Sequence, residues 1–71
     1  MKLQLNDTVK VHGFVMLKGM TGELKVSKID EISYWFTKPK GTNVVCRHLI
    51  SDIDRSINNS DDNNRIELLI N

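Results

Sequence analysis

A chain of 71 residues with 39% hydrophobic content, 27% charged content and a formal net charge of +1 makes one globular domain at most. Such a chain buries only about 60% of the surface its unfolded form exposes, which leaves a thin core and little room for a catalytic cleft beside it. No apolar run approaches the roughly 18 residues of a membrane span, and the start MKLQLNDTVKV lacks the apolar core and small-residue cleavage site of a signal peptide.

The expectation is a soluble, cytoplasmic, single domain over residues 1–71. Its charge is uneven. Residues 1–50 hold eight lysines and arginines against four acids, and residues 51–71 hold two against five, so a mildly basic body carries an acidic tail.

Leu5, Asn6 and Asp7 read as a turn delivering the chain into a first strand at Thr8–His12, where Val9 and Val11 alternate with polar residues. GFVMLKGMTG, residues 13–22, holds three of the four glycines and marks an irregular connection. Leu24 and Val26 resume the alternation, but Ile29 falls out of phase with them, which a strand achieves only through a bulge or sharp bend. In EISYWFT, residues 31–37, Ile32, Tyr34 and Phe36 share one face and Ser33, Trp35 and Thr37 the other. Both faces are aromatic, so the pattern leaves Trp35 open between outer surface and core.

KPKGT, residues 38–42, reads as a hairpin loop, and NVVCRHLI, residues 43–50, as a fourth strand. SDIDRS starts with a good cap residue but is short and poor in apolar periodicity, so a single 3₁₀ turn is expected, with Asp52 and Asp54 as caps. The polar stretch at 58–64 is expected to be a mobile loop. RIELLI then supplies a fifth strand with Ile66, Leu68 and Ile70 inward. Five short strands, glycine-rich turns and no core helix predict an all-β fold, a small antiparallel barrel.

The stretch DTVKVHGFVMLKGMTGELKVSKID, residues 7–30, resembles the KOW motif of SH3-like barrels in ribosomal proteins and in bacterial and archaeal transcription elongation factors. Asp7, Val9, Val11, Gly13, Lys18, Gly19, Gly22, Leu24 and Ile29 stand at or near the motif positions. The span from Val11 to Lys18 is a residue longer than usual, and Leu24 replaces the common valine. This resemblance implies a five-stranded SH3-like barrel with one short 3₁₀ turn before the last strand. In that family the loops around the motif contact RNA or protein, which would make Lys18 and the backbone from Gly19 to Gly22 a contact surface.

Gly19, Met20, Gly22, His48, Leu49 and Asp52 also look like the variable subunit of ferredoxin–thioredoxin reductase, another SH3-like barrel. The insert before its glycine turn and the segment leading to its last strands are missing here. That resemblance implies an accessory subunit docked on a catalytic partner, in a plastid or organelle stroma, with no chemistry of its own.

The residues themselves announce no catalyst. Cys46 is the only cysteine, so no internal disulfide forms; His48 shares its strand face, but no third orienting residue is visible. His12 and His48 lack a third metal ligand at any recognisable spacing, LKGMTGEL lacks the first glycine and following helix of a phosphate loop, and neither cofactor nor small-molecule substrate is expected. The better lead is Tyr34, Trp35 and Phe36 with Lys38 and Lys40 just beyond: aromatics stack on unpaired bases while lysines neutralise phosphates. The same features make a protein-docking patch.

The reading is a non-catalytic binding module contacting RNA, single-stranded DNA, or a ribonucleoprotein or transcription complex. Its contact residues are Lys18, Gly19, Gly22, Trp35, Lys38, Lys40 and Arg47. The alternative is the accessory subunit.

Overall fold

Alternating apolar residues build the sheet. The computed structural model describes residues 3–58 and 63–69. In chain order it contains β1 (Thr8–His12), β2 (Gly22–Ile29), β3 (Ser33–Thr37), β4 (Val44–Leu49), α1 (Ile50–Ile57) and β5 (Arg65–Leu69). All pairings are antiparallel, and the sheet order is β4-β3-β2-β1-β5.

One sheet face carries the core. Val9 pairs with Leu24 and Leu68, Val11 with Ile66, and Val26 with Phe36, so the inward residues of neighbouring strands stand side by side. Leu3, Met20 and Ile53 close over them from the chain start, the 13–21 loop and the helix. Fully burying a side chain of this size contributes about 1.5–3 kcal/mol. Tyr34 meets Phe36 edge-on at 6.3 Å, and its phenol oxygen accepts a hydrogen bond from Leu3 N at 3.1 Å. Burial raises the Tyr34 pKa above its ordinary value.

The phase change in β2 is a bulge. Val26 faces Phe36 while Lys28 faces Trp35, leaving Ser27 as the extra residue and bringing Ile29 opposite Tyr34. A second irregularity lies across β3, where Phe36 faces Cys46 but Thr37 faces Val44, so Val45 is extra in β4.

Several expectations need correction. The sheet is not closed by strand pairing: β4 and β5 are its edges, and α1 packs against both instead. The expected 3₁₀ turn is an α-helix of eight residues. Its apolar face is Ile50, Ile53 and Ile57, a helical spacing that is hidden when Ile50 is assigned to the preceding strand and the turn is ended at Ser56. Neither Asp52 nor Asp54 caps it: the N-cap is Leu49, without a side-chain hydrogen bond, and Asp52 lies in the first turn. Asp54 Oδ1 is buried with no hydrogen-bond partner among the described residues. Ile32 precedes β3 and is exposed, because its N–H and that of Ser33 turn toward Asp30 Oδ1, at 2.9 and 2.7 Å. Of the loop expected at 58–64, residues 59–62 lie outside the described residues, as does Ile70.

Candidate functional site

Two structures meet at β4: the 13–21 loop on one side and the outer face of β3 on the other. The loop starts and ends in backbone conformations that favour glycine. Gly13 has φ +65°, and a Cβ there would overlap the Asn63 carbonyl. Beside it, Phe14 N–H donates to Asn64 Oδ1 at 2.8 Å.

Gly19 has φ +86°, and a Cβ there would stand 2.9 Å from Cys46 Cβ, so only glycine brings this backbone against β4. The His48 ring N–H donates to the Lys18 carbonyl at 2.7 Å and secures the same contact. Between these anchors the chain alternates. Val15 and Leu17 turn toward the core, and Phe14, Met16 and Lys18 turn out to solvent.

Lys18, Gly19, Val45, Cys46, Arg47 and His48 line a groove of about 550 Å³ between loop and strand. Its thiol is unsuited to nucleophilic work. Cys46 Sγ lies 3.5 Å from Met20 Sδ, and burial pushes its pKa up, only partly offset by the charge of Lys38.

On the outer face, strand register sets Lys28, Trp35 and Arg47 in one row. The Lys28 ammonium stands 4.8 Å from the indole centroid and the Arg47 guanidinium carbon 5.1 Å. Such contacts contribute about 0.5–1 kcal/mol each at exposed sites. Trp35 Nε1 donates to Asp30 Oδ2 at 2.8 Å, and Arg47 Nε donates to Ser33 Oγ at 3.1 Å. The indole hydrogen bond, aided by the Ile32 backbone N–H, holds the Asp30 carboxyl below its ordinary pKa. Trp35 is therefore a half-buried residue of the outer face.

Of the residues expected to bind, Lys18, Gly19 and Arg47 share the groove, and Trp35 joins them through Arg47. Lys38 and Lys40 are exposed on the hairpin between β3 and β4, whose turn is closed by Gly41 N–H to the Lys38 carbonyl at 3.0 Å. Gly22 stands apart, opposite Val11 at the start of β2. Its φ of +66° favours glycine, yet a Cβ there would meet nothing within 4 Å, so no close approach demands it.

Sequence reasoning missed Lys28, Asp30 and His48 as parts of this site. Lys28 reaches the indole only because of the Ser27 bulge, and Asp30 only because the chain turns back at residues 30–32. Among the described residues, no group of three or more His, Cys, Asp or Glu side chains is placed to hold a metal ion. No helix among the described residues is long and apolar enough to cross a membrane.

Fold and face together define a small, mostly β domain with a cation-bearing groove and an outer-face indole. No family model matches the chain, and neither a curated protein nor a solved structure does.

Proposed function

We propose that this protein is a non-catalytic binding module, an SH3-like barrel of the KOW kind, that contacts single-stranded RNA or DNA through β3, β4 and the 13–21 loop. The barrel reading draws support from the sheet order, with β1 between β2 and β5 and a short helix leading into the last strand. The observation that carries the binding reading is the row Lys28, Trp35 and Arg47, adjoining the groove that Arg47 shares with Lys18.

A flat guanidinium held over an indole is already ordered, so it loses little freedom when a phosphate or base arrives. Arg47 Nε is taken by Ser33, and among the described residues no acceptor takes its terminal nitrogens. Lys38 and Lys40 extend the cationic track along the hairpin. Bases stack on aromatic and guanidinium planes whatever their identity, so the module is sequence-tolerant.

Titration of a fluorescent mixed-sequence single-stranded oligonucleotide tests this. Binding weakens as salt rises, with a log–log slope of about −0.7 for each phosphate contacted. The Lys38→Ala, Lys40→Ala double variant flattens the slope, whereas Trp35→Ala weakens binding and leaves the slope nearly unchanged. No binding at low salt refutes the proposal. A partner retained on the protein after nuclease treatment, and lost with Trp35→Ala, would instead favour the accessory-subunit reading, with the indole as an anchor.

A further inference from the structure

The fold leaves one aromatic ring in water beyond the Trp35 row. Phe14 is 75% exposed, and Met16 is 87% exposed, although their neighbours Val15 and Leu17 pack on the core. The backbone beneath the ring is tied down. Gly13 lies so close to the Asn63 carbonyl that a Cβ would overlap it, Phe14 N–H donates to Asn64 Oδ1, and Gly19 stands against Cys46. A ring on backbone fixed in this way costs little further ordering when a ligand stacks on it.

The surface around the ring is continuous with the groove at β4. Residues 13–21 line a hollow of about 350 Å³, and this hollow shares Lys18 and Gly19 with the groove. The groove in turn includes Arg47, whose guanidinium carbon lies 5.1 Å from the Trp35 ring. A path from Trp35 to Phe14 therefore runs over Arg47 and Lys18. Among the described residues no acid lines the hollow or the groove, and the charge of Lys38 is felt at Cys46 in the groove wall. Phe14 Cα lies within about 14 Å of Lys18 Cα, because four residues of extended chain reach no further.

We propose that Phe14 is a second base-stacking platform: a single strand lies with one base against Trp35 and Arg47, its phosphates over Lys18 in the groove, and a further base on the Phe14 ring above the loop hollow. This role rests on the nucleic-acid reading of Trp35 and deepens it, turning one aromatic contact into a track with a ring at each end. Cations between two rings match a polyanion that carries a flat base on every unit. A bilayer surface would meet the ring without entering the groove, whereas a single strand meets both. Met16 adds a flexible thioether beside the ring, which adapts to whichever base arrives. Every base has a π-face, so the second platform adds affinity and site length without adding sequence preference.

Fluorescence anisotropy with labelled oligothymidylates of increasing length tests the track. Parent affinity rises with length until both platforms are filled. Phe14→Ser lowers affinity for the long oligomers on the order of tenfold, the loss of one stacked base, and leaves the salt slope unchanged. The shortest oligomers, which fill only the Trp35 end, lose much less. Trp35→Ala weakens binding at every length. Phe14→Tyr keeps a ring and binds as the parent does, whereas Phe14→Leu keeps only apolar bulk and does not. Trp35→Phe combined with Phe14→Trp gives a direct readout, since the sole indole then stands on the loop and oligothymidylate quenches its fluorescence. Equal binding by the parent and Phe14→Ser at every length, or by the parent and Phe14→Leu, overturns the second platform and leaves the Trp35 site standing. No binding by the parent at low salt overturns both. Phosphatidylserine vesicles bound through Phe14, with oligomer binding indifferent to that residue, overturn the second platform as well.

Discussion

Trp35 and Phe14 both lie on the outside of the protein, and they are held in opposite ways. The Trp35 side chain is matched at every polar point: its N–H has Asp30, and its ring has Lys28 and Arg47. Phe14 is held by its backbone alone, through Asn64, while its ring stands in solvent. The first arrangement stabilises the fold whether or not anything binds. The second orders a loop and adds apolar surface that the fold does not use. Exposure by itself therefore says little about function. An ordered backbone under an unpartnered ring says more.

The largest expected effect comes from breaking the loop anchor. Gly13→Val forces a branched side chain onto a left-handed backbone and into the Asn63 carbonyl. A loss of about 3 kcal/mol follows, which lowers the melting temperature by well over 10 °C in a domain of this size. Gly22→Val meets the same backbone cost in open space and loses about 1–2 kcal/mol. Equal melting curves for the two variants would show that the loop is not anchored at Gly13.

Next in size is the contrast between the two aromatics. Trp35→Ala should cost about 2 kcal/mol, through lost packing and the loss of two cation contacts. Phe14→Ser should stay within about 0.5 kcal/mol of the parent in denaturant unfolding. A destabilising Phe14→Ser would mean that the ring supports the fold after all.

The smallest effect is in acid. The folded-state pKa of Asp30 lies below its ordinary 3.8, because the ionised form accepts the Trp35 indole hydrogen bond. Its contribution to stability is therefore complete above that ordinary value and is lost as pH falls toward the folded value. Trp35→Phe removes the donor and keeps a ring, so an NMR titration of the Asp30 carboxyl should move up toward the ordinary value. Phe14→Ser should leave that titration where it was.

The legible parts of the fold were those in which one residue type answers one local need. Val9 and Val11 declared β1, and the lost phase at Ile29 called for a bulge or sharp bend, of which the register shows the bulge. The helix was not legible, because its apolar residues Ile50, Ile53 and Ile57 are too few to stand out beside a strand ending in the same residue types. The alternation put Ser33, Trp35 and Thr37 on one face without saying how deeply that face is covered; Ser33 and Thr37 are buried there, with Arg47 bonded to Ser33.

For the site, residue type pointed to Trp35, Arg47 and Lys18. Their grouping depends on strand register and on the fold of the 13–21 loop over β4, which no local pattern encodes. Lys28 and Asp30 became visible only once Trp35 had neighbours.

The extra residues Ser27 and Val45 flank β3 on its two sides, near the level of Trp35 and Phe36. Each is supernumerary. Deleting Ser27 would leave Val26 opposite Phe36, Lys28 opposite Trp35 and Ile29 opposite Tyr34. Deleting Val45 would likewise leave Cys46 opposite Phe36 and Val44 opposite Thr37. Bulges bend the strand that carries them and increase its local twist. Curvature in this sheet is thus encoded by chain length rather than by side-chain identity. Two single-codon deletions would straighten it stepwise while keeping the paired residues opposite one another, at the loss of the bond from Ser27 Oγ to the Trp35 carbonyl.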